Sequence, residues 1–343
     1  MYLYGHKIIS MKYFLITAIA VFSFSCNTAQ NSAIKEMSRV DYMNTITAEE
    51  LSTHLYQFSD DKMQGRMTGE PGQKLAAEYL KNYYKSQGIS GPNGDDYYQN
   101  IPAEYFRMNE PKPSENVLAF IKGSEKPEEV IILSAHYDHV GMDDGKIYNG
   151  ADDDGSGTVA MLEIAQAFQV AVKNGNGPKR SILFLHVTGE EIGLFGSKYY
   201  TENPVFPLAN TVCNLNTDMI GRIDPDKADN PNYVYLIGSD KLSQELHDLS
   251  ENVAKKYSEL ELDYKFNDDN DPNRFYYRSD HYNFAKNNIP VIFYFNGVHE
   301  DYHQATDTPD KIEYDLLAKR AQLIFQTTWE VANRESRITA DKL

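Results

Sequence analysis

Two histidines and several aspartates lie close together between residues 136 and 157, which read HYDHVGMDDGKIYNGADDDGSG. Imidazole nitrogens and carboxylate oxygens are ligands that Zn²⁺ accepts in proteins. A carboxylate that is not a ligand can take a proton from water or hold the second ring nitrogen of a ligand histidine. The stretch follows an apolar run at residues 130–133 and precedes an apolar helical pattern at residues 158–168. It therefore predicts a metal site in the loop between a strand and a helix.

Residues of the same chemical types follow other predicted strands. Because the carboxyl ends of parallel strands meet at one edge of a sheet, we expect these side chains to converge. Any single one could instead be a polar cap, so the recurrence of the pattern carries the prediction. The candidates are His136 and Asp138 after the strand at residues 130–134, Asp152 at a helix start, Glu190 and Glu191 after the strand at 181–187, Asp218 after the strand at 212–215, and His303 beyond the strand at 289–295.

The spacing of these residues indicates separate tasks. Asp138 lies two residues after His136, so in an extended chain both side chains point to the same side and Asp138 can orient the imidazole. The adjacent Glu190 and Glu191 cannot both follow one strand direction. One of them can therefore bind metal while the other acts on water.

The elements that must position these residues alternate between strands and helices. The early part predicts helices at residues 47–58, with Thr47 and Glu50 as a capping box, and at 71–87. Strands at 116–121 and 130–134 are separated by a polar segment typical of a hairpin turn, and a final helix is expected within 309–334. We predict a single α/β domain with a mostly parallel, mixed central sheet and helices on both faces.

Composition limits the function classes. The chain has 343 residues, 41% of them hydrophobic, which suffices for a sizeable core. The net charge of −17 argues against nucleic-acid binding, because phosphates would repel such a chain. An acidic balance suits a site that collects divalent cations, although a soluble acidic surface explains it equally well. The two cysteines, Cys26 and Cys213, indicate no disulfide framework.

The N-terminal residues 1–26 resemble a bacterial secretion signal. Lys12 precedes a short apolar run, and Ser25-Cys26 is similar to a lipoprotein cleavage site, which predicts membrane attachment through a lipidated Cys26. The protein is then expected to be exported, as a periplasmic or outer-membrane lipoprotein or in secreted form. Ordinary signal cleavage and an uncleaved anchor are the alternatives. Residues 27–44 are predicted to be a tether and residues 45–343 the folded domain.

Six segments together resemble the zinc-dependent M28 exopeptidases, and they occur in the order of that family from about residue 51 to the end of the chain. They are HYDHVG, GADDDGSG, GEEIGLFGS, NLNTDMIG, RSDHYNF and DYHQATDTPD. The resemblance implies the zinc exopeptidase fold for residues 45–343. It also implies peptide substrates, and we expect a monomer.

The resemblance implies a role for each candidate. His136, Asp152 and Asp218 would hold one zinc ion, and Asp152, Glu191 and His303 the other, so that Asp152 bridges two ions. Glu190 would be the general base that deprotonates the metal-bound water, Asp138 would orient His136, and Tyr302 would hydrogen-bond the developing oxyanion. The implied reaction is attack of a metal-bound hydroxide on a peptide carbonyl, without a covalent intermediate.

Several other residues keep two interpretations. His139 can touch substrate or belong to the surrounding loop. Asp153 and Asp154 are interpreted as helix caps rather than ligands. His186 and Cys213 are interpreted as core residues. Arg278, Asp280 and Tyr282 can each contact substrate or be structural.

The preferred function is a zinc aminopeptidase. Carboxypeptidases and dipeptidases of the family share its ligands. A glutaminyl-peptide cyclotransferase of the same fold is one alternative, although those enzymes carry Trp where this chain has Tyr302. A non-catalytic binding lipoprotein is another, but it predicts the loss of a ligand or of the base, and none is missing here.

Overall fold

The computed structural model of the chain describes residues 37–343. The predicted signal segment, Cys26 and the first part of the predicted tether lie outside the described residues. The later part of that tether is folded, because Arg39–Met43 forms a helix whose Tyr42 is buried and stacks on Trp329. The folded unit therefore includes residues that the sequence analysis assigned to a linker.

Eight α-helices lie in the described residues. They are α1 Arg39–Met43, α2 Ala48–Phe58, α3 Pro71–Gln87, α4 Gly157–Lys173, α5 Phe195–Glu202, α6 Gln244–Tyr257, α7 His281–Ala285 and α8 Tyr314–Asn333. The predicted capping box at the start of α2 is formed in part. The Thr47 side chain accepts a hydrogen bond from the Glu50 amide, but the Glu50 carboxylate accepts from the Thr47 hydroxyl and not from the Thr47 amide. None of these helices is both long and apolar enough to cross a membrane.

The same residues contain ten strands. They are β1 Tyr98–Ile101, β2 Ser114–Ile121, β3 Lys126–His136, β4 Met142–Asp143, β5 Lys146–Ile147, β6 Arg180–Val187, β7 Thr211–Thr217, β8 Tyr233–Ile237, β9 Glu261–Asp263 and β10 Val291–Phe295. Eight of them form one sheet in the order β1-β2-β6-β3-β7-β10-β8-β9, and β4 pairs with β5 in a separate ribbon.

The centre of the sheet is parallel. Strand β3 pairs in parallel with both β6 and β7, and β7 pairs in parallel with β10. The carboxyl ends of these four neighbouring strands therefore meet at one edge of the sheet. Antiparallel pairs flank this centre at β2 with β6 and at β10 with β8, which makes the sheet mixed, as predicted.

Both faces of the sheet are covered, as the near-continuous apolar runs of its central strands require. Alternate residues of β3 point to opposite faces, so Ile131 joins one core cluster and Ile132 the other. The larger cluster includes residues of α2, α3, α4 and α8. The smaller includes Tyr200 of α5 and Phe284 of α7. The predicted α/β architecture is confirmed.

The predicted hairpin between β2 and β3 is wrong. Strand β6 lies between them, pairing antiparallel with β2 and parallel with β3. Every residue of β6 is buried, which suits a strand in the middle of a sheet. A polar segment between two strands shows where the chain turns, but the partner of each strand is set by distant residues.

Candidate metal centre and active site

His136 ends β3, and its side chain is buried. Its Nδ1 donates to the backbone carbonyl of Asp138 over 3.1 Å. The backbone of His136 is fixed as well, because its amide donates to the Asp154 carboxylate and its carbonyl accepts from the Thr158 hydroxyl. Since Nδ1 carries the proton, the Nε2 lone pair of the neutral imidazole remains available to a metal ion.

Asp138 contacts this ring through a different atom from the one predicted. Its carboxylate Oδ1 lies 3.9 Å from Nδ1 of His136, beyond hydrogen-bond reach. The carboxylate instead accepts from the Thr68 hydroxyl over 2.8 Å and from the Glu190 amide over 3.3 Å. The reason is that β3 ends at His136, so the chain is not extended through Asp138. Asp138 thus holds His136 by its carbonyl and the Glu190 backbone by its side chain.

Asp153 lies between the two histidines that the sequence analysis assigned to metal. Its Oδ1 is 3.1 Å from Nε2 of His136, and its Oδ2 is 3.1 Å from Nε2 of His303. The Asp152 carboxylate is directed elsewhere, accepting from the Gly221 amide over 2.6 Å and from Nε2 of His299 over 3.1 Å. The structure therefore places Asp153, and not the predicted Asp152, between His136 and His303.

The local backbone explains this correction. Asp153 has φ −102° and ψ 99° inside the irregular turn Ala151–Ser156, so its side-chain direction does not follow from a helical start. The predicted capping role of Asp153 is wrong for the same reason. That of Asp154 is confirmed, because its Oδ1 accepts from the Gly157 amide over 3.0 Å.

The remaining predicted ligands complete two groups that share Asp153. Oδ1 of Asp218 lies 3.6 Å from Nε2 of His136, and its Oδ2 accepts from the Ser279 hydroxyl over 2.6 Å. On the other side, Oε2 of Glu191 lies 3.0 Å from Nε2 of His303. The structure thus brings together all of the predicted metal residues except Asp152.

His139 belongs to the second group, although the sequence left its role open. Its ring is buried, and its Nδ1 lies 2.7 Å from Oε1 of Glu191. The ring centroid is 5.8 Å from that of His303. Gly150 makes this placement possible, because a Cβ at that position would lie 2.5 Å from the His139 ring.

The contacts of the clustered atoms are consistent with a cation site. Nε2 of His136, both ring nitrogens of His139, Oδ2 of Asp153 and Oε1 of Glu191 are buried and make no hydrogen bond within residues 37–343. The ion-pair contacts that these atoms make are with other side chains of the cluster. Buried polar atoms are nearly always bonded. Ligand atoms of His136, Asp153 and Asp218 lie within 4.8 Å of one another, as do those of His139, Asp153 and Glu191. A nitrogen and oxygen donor set of this kind suits Zn²⁺.

The electric field of the cluster favours positive charge. Burial lowers the pKa of His303, but the carboxylates of Asp153 and Glu191 outweigh it and raise that pKa to about 10. Burial likewise lowers the pKa of His136, and the carboxylates of Glu190 and Asp218 reverse the shift. Burial, opposed by His136 and aided by Glu191, raises the pKa of Glu190 above its usual value. The site therefore stabilises a cation at the position where these side chains meet.

A small open cavity of about 30 Å³ adjoins the cluster. Its polar wall contains Asp153, Glu190 and Asp218, and its apolar wall contains Met219, Phe275, Phe293, Phe295 and Val298. Tyr302 also lines it, with its ring stacked on His303 at 3.9 Å between centroids. A larger groove between α6 and α8 is lined by no metal-ligand cluster of the described residues. The cavity beside Glu190 is thus the place where a substrate would meet the cluster.

The structure also shows the surroundings of the other residues that the sequence left with two interpretations or assigned to the core. His186 is buried against the Tyr84 hydroxyl, and burial lowers its pKa to about 3, so it is a neutral core residue, as predicted. Cys213 is a buried free thiol of β7. Asp280 is buried, accepts from the Ser197 hydroxyl, and has a pKa raised by burial to about 7. Among the described cavity-lining residues, Arg278 is present, whereas Asp280 and Tyr282 are not.

The sequence analysis missed two residues, Asp307 and His299, that hold the backbone of Asp153 and the side chain of Asp152. The Asp307 carboxylate accepts from the amides of Asp152, over 3.0 and 3.1 Å, and of Asp153, over 3.2 Å. His299 holds the Asp152 carboxylate from the same loop. His299, His303 and Asp307 all lie in the loop between β10 and α8. The contacts of Asp307 therefore connect the loop that contains His303 to the backbone of Asp153. Asp307 lies in the DYHQATDTPD segment, but its spacing alone does not reveal a backbone contact.

Arg66 is a third missed residue. Its buried guanidinium donates to the carbonyls of Tyr137, Asn149 and Gly150 over 2.9, 2.6 and 2.8 Å. The preceding Gly65 permits this approach, since a Cβ there would lie 2.2 Å from the Gly141 carbonyl oxygen. The loop between β3 and α4 is therefore fixed from outside by the N-terminal part of the domain.

Comparison with known proteins agrees with this geometry. The sequence pattern of Peptidase family M28 matches residues 116–328. The chain is 26% identical over 296 residues to a probable zinc metalloprotease of Pyrenophora teres f. teres, covering 75% of this chain but only 59% of that relative. The chain thus spans about three fifths of that relative's length.

Solved structures share the fold. The aminopeptidase from Aneurinibacillus sp. strain AM-1 superposes with a TM-score of 0.66 at 17% identity, covering 89% of this chain and 98% of that one. Porphyromonas gingivalis glutaminyl cyclase superposes with a TM-score of 0.64 at 18% identity, covering 83% and 98%. The family pattern spans well over half of the 343 residues and includes all of the clustered ligands, so the chain belongs to Peptidase family M28.

Proposed function

We propose that the protein is a zinc-dependent aminopeptidase that hydrolyses peptide bonds at a two-zinc site. One observation carries the proposal: the two carboxylate oxygens of Asp153 face the Nε2 atoms of two different histidines, His136 and His303. A carboxylate in this position can bridge two ions, as in two-metal hydrolases.

The distances support two ligand sets. His136, Asp153 and Asp218 would hold one ion, and Asp153, Glu191 and His303 the other. Zinc at these positions would polarise the scissile carbonyl and lower the pKa of water. A catalytic site must leave a position open, and the adjoining cavity provides the space.

Glu190 is the general base in this proposal. Its side chain lines the cavity with Asp153 and Asp218, and its backbone is held by the Asp138 carboxylate. A Glu190 oxygen takes the proton from the attacking water and then delivers it to the leaving amine. Tyr302 also lines the cavity, and in this proposal its hydroxyl donates to the carbonyl oxygen as negative charge develops there.

The charge of the cavity supports an aminopeptidase. Glu190, which binds no ion in this proposal, presents its carboxylate at the cavity, and a free α-ammonium group of the substrate complements that charge. The structurally similar Aneurinibacillus protein is named an aminopeptidase. We therefore expect hydrolysis of leucine p-nitroanilide and none of its N-acetyl derivative, which lacks the positive charge.

Removal of metal should abolish this hydrolysis. The ligand atoms of His136, Asp153 and Glu191 are directed at other side chains of the cluster, which is the arrangement that a bound cation would occupy. We expect two zinc ions per chain by elemental analysis, loss of activity after dialysis against a chelator, and recovery with added Zn²⁺. Full activity in the metal-free protein would refute the proposal.

Glutaminyl cyclisation is the second candidate, because the fold is shared with a glutaminyl cyclase. The same preparation should be assayed on an N-terminal glutaminyl peptide. Release of ammonia without cleavage of the peptide bond would favour the cyclase. Release of the first amino acid from several peptides would favour the peptidase.

The substitution Asp307→Asn tests whether Asp307 positions the proposed metal ligand Asp153. We expect zinc affinity or activity to fall by about 10- to 100-fold, the range for residues that orient metal ligands. The physical reason is that Asp307 fixes the backbone of the bridging Asp153. Zinc titration of the metal-free variant measures the effect, with Asp310→Asn, an exposed site in the same segment, as control. Equal zinc affinity in both variants at equal Tm would exclude a positioning role.

A further inference from the structure

Arg278 stands at the edge of the cavity that adjoins the metal ligands. Among the described residues that line this cavity, it is the only basic one. Asp153, Glu190 and Asp218 are the acidic ones. The described lining of the cavity thus contains three carboxylates and a single guanidinium, which lies against the apolar side chain of Phe275.

Neighbouring side chains hold Arg278 in this position. Its guanidinium carbon lies 5.0 Å from the centroid of the Phe275 ring, which is buried and lines the cavity. Its Nη2 donates to the Tyr302 hydroxyl at 3.5 Å, the weak limit of a hydrogen bond. The following residue, Ser279, donates to Asp218. The Arg278 backbone is therefore tied to a candidate metal ligand, although its side chain is exposed.

The guanidinium has no ion-pair partner in residues 37–343. Four other arginines of the described residues pair with carboxylates, among them Arg222 with Asp301 at 3.1 Å and Arg180 with Glu129 at 2.5 Å. Arg278 has only the ring and the distant hydroxyl. Its planar group of five N–H donors, well suited to a carboxylate, remains available at the cavity edge.

From this arrangement we infer that Arg278 binds a carboxylate of the substrate close to the scissile bond. The inference rests on the proposed peptidase function and names a substrate class for it. In the proposed function zinc neutralises Asp153 and Asp218, whereas Glu190 binds no ion and would repel a substrate carboxylate in the cavity. Arg278, the basic residue among the described lining residues, can pair with that carboxylate and offset the repulsion.

Two sources can provide the carboxylate. One is the terminal carboxylate of a dipeptide, and the other is the side chain of an acidic N-terminal residue. Matched substrates separate them. Leucyl-leucine is compared with leucyl-leucine amide for the first source, and glutamyl p-nitroanilide with glutaminyl p-nitroanilide for the second.

The test measures kcat/KM for each pair in the wild type and in Arg278→Ala. We expect one of the two ratios to favour the carboxylate-bearing substrate and to fall about 10-fold in the variant, the effect of one lost hydrogen bond to a charged group. Arg278→Glu should reverse the preference. The readout is the ratio of kcat/KM values within each pair of substrates. If the loss of Arg278 disturbed Tyr302, both substrates of a pair would be affected equally and the ratio would not change.

Arg274→Ala is the matched control. Arg274 belongs to the same segment, is exposed, and rests on the Tyr277 ring at 4.9 Å, but it does not line the cavity. Its ratios should equal those of the wild type. Unchanged ratios in Arg278→Ala, or equal changes in both variants, would overturn the inference.

A binding measurement separates this inference from the proposed function. Leucyl-leucine, glutamic acid and their amides are titrated calorimetrically into the zinc-loaded Glu190→Gln protein, with and without Arg278→Ala. A carboxylate preference that depends on Arg278 supports the inference even if no substrate is cleaved, in which case only the peptidase proposal fails. Equal binding of acids and amides by both proteins refutes the inference independently of turnover.

Discussion

Replacement of Asp153 by asparagine is expected to remove both zinc ions. The kcat of peptide hydrolysis should fall by at least about 10²–10³-fold, which is the effect of removing one preorganised electrostatic contact from an active site. Both carboxylate oxygens are used, each 3.1 Å from Nε2 of a different histidine. Asparagine offers one oxygen and a neutral NH₂ group that binds no cation. Elemental analysis and the kcat of leucine p-nitroanilide hydrolysis measure the two effects.

Asp152→Asn is the matched control for this experiment. The Asp152 carboxylate accepts from the Gly221 amide and from His299 rather than facing His136. We expect Asp152→Asn to keep both ions. Its activity should fall by no more than about 10- to 100-fold, the range for residues that orient metal ligands. The opposite result, in which Asp152→Asn loses both ions and Asp153→Asn keeps them, would restore the sequence-based choice of Asp152.

Glu190→Gln should abolish turnover while leaving the metal in place. General bases contribute about 10²–10⁴-fold to a reaction, and glutamine cannot accept the proton. Glu190 lines the cavity, whereas its neighbour Glu191 faces His303 and His139. The two isosteric changes therefore have different expected outcomes: Glu190→Gln loses kcat at full zinc content, and Glu191→Gln loses zinc.

Zinc titration and steady-state kinetics of both variants make this comparison. A Glu190→Gln protein that fails to bind zinc would show that the two glutamates have been assigned in the wrong order. Retention of substantial kcat in Glu190→Gln would move the base to another residue of the cavity.

The location of the site could be predicted from the sequence because it depends on a general rule. His136, Asp218 and His303 follow apolar strands, and the parallel pairing of β3, β7 and β10 brings their carboxyl ends to one edge. The rule needs only the order of apolar and polar segments, which the sequence displays directly. It does not need side-chain directions within a loop.

Side-chain directions are where the prediction failed. Three consecutive aspartates follow Gly150, and the residue that faces both histidines is decided by the non-helical backbone of Asp153. Asp138 shows the same limit, since its predicted carboxylate contact assumed a strand that ends two residues earlier. Asp307 and Arg66 were missed because their partners are backbone groups far away in the sequence.

The four carbonyls that Arg66 holds have a consequence for the boundaries of this protein. Arg66 donates to Phe58, Tyr137, Asn149 and Gly150, and it lies well before residue 116, where the family pattern begins. Unsatisfied buried carbonyls are costly, so a fragment cut at the start of the pattern would lack the donor that keeps its own ligand loop closed. The smallest autonomous unit is accordingly larger than the stretch that the family pattern matches, and a graft of the metal site into another scaffold would have to include Arg66.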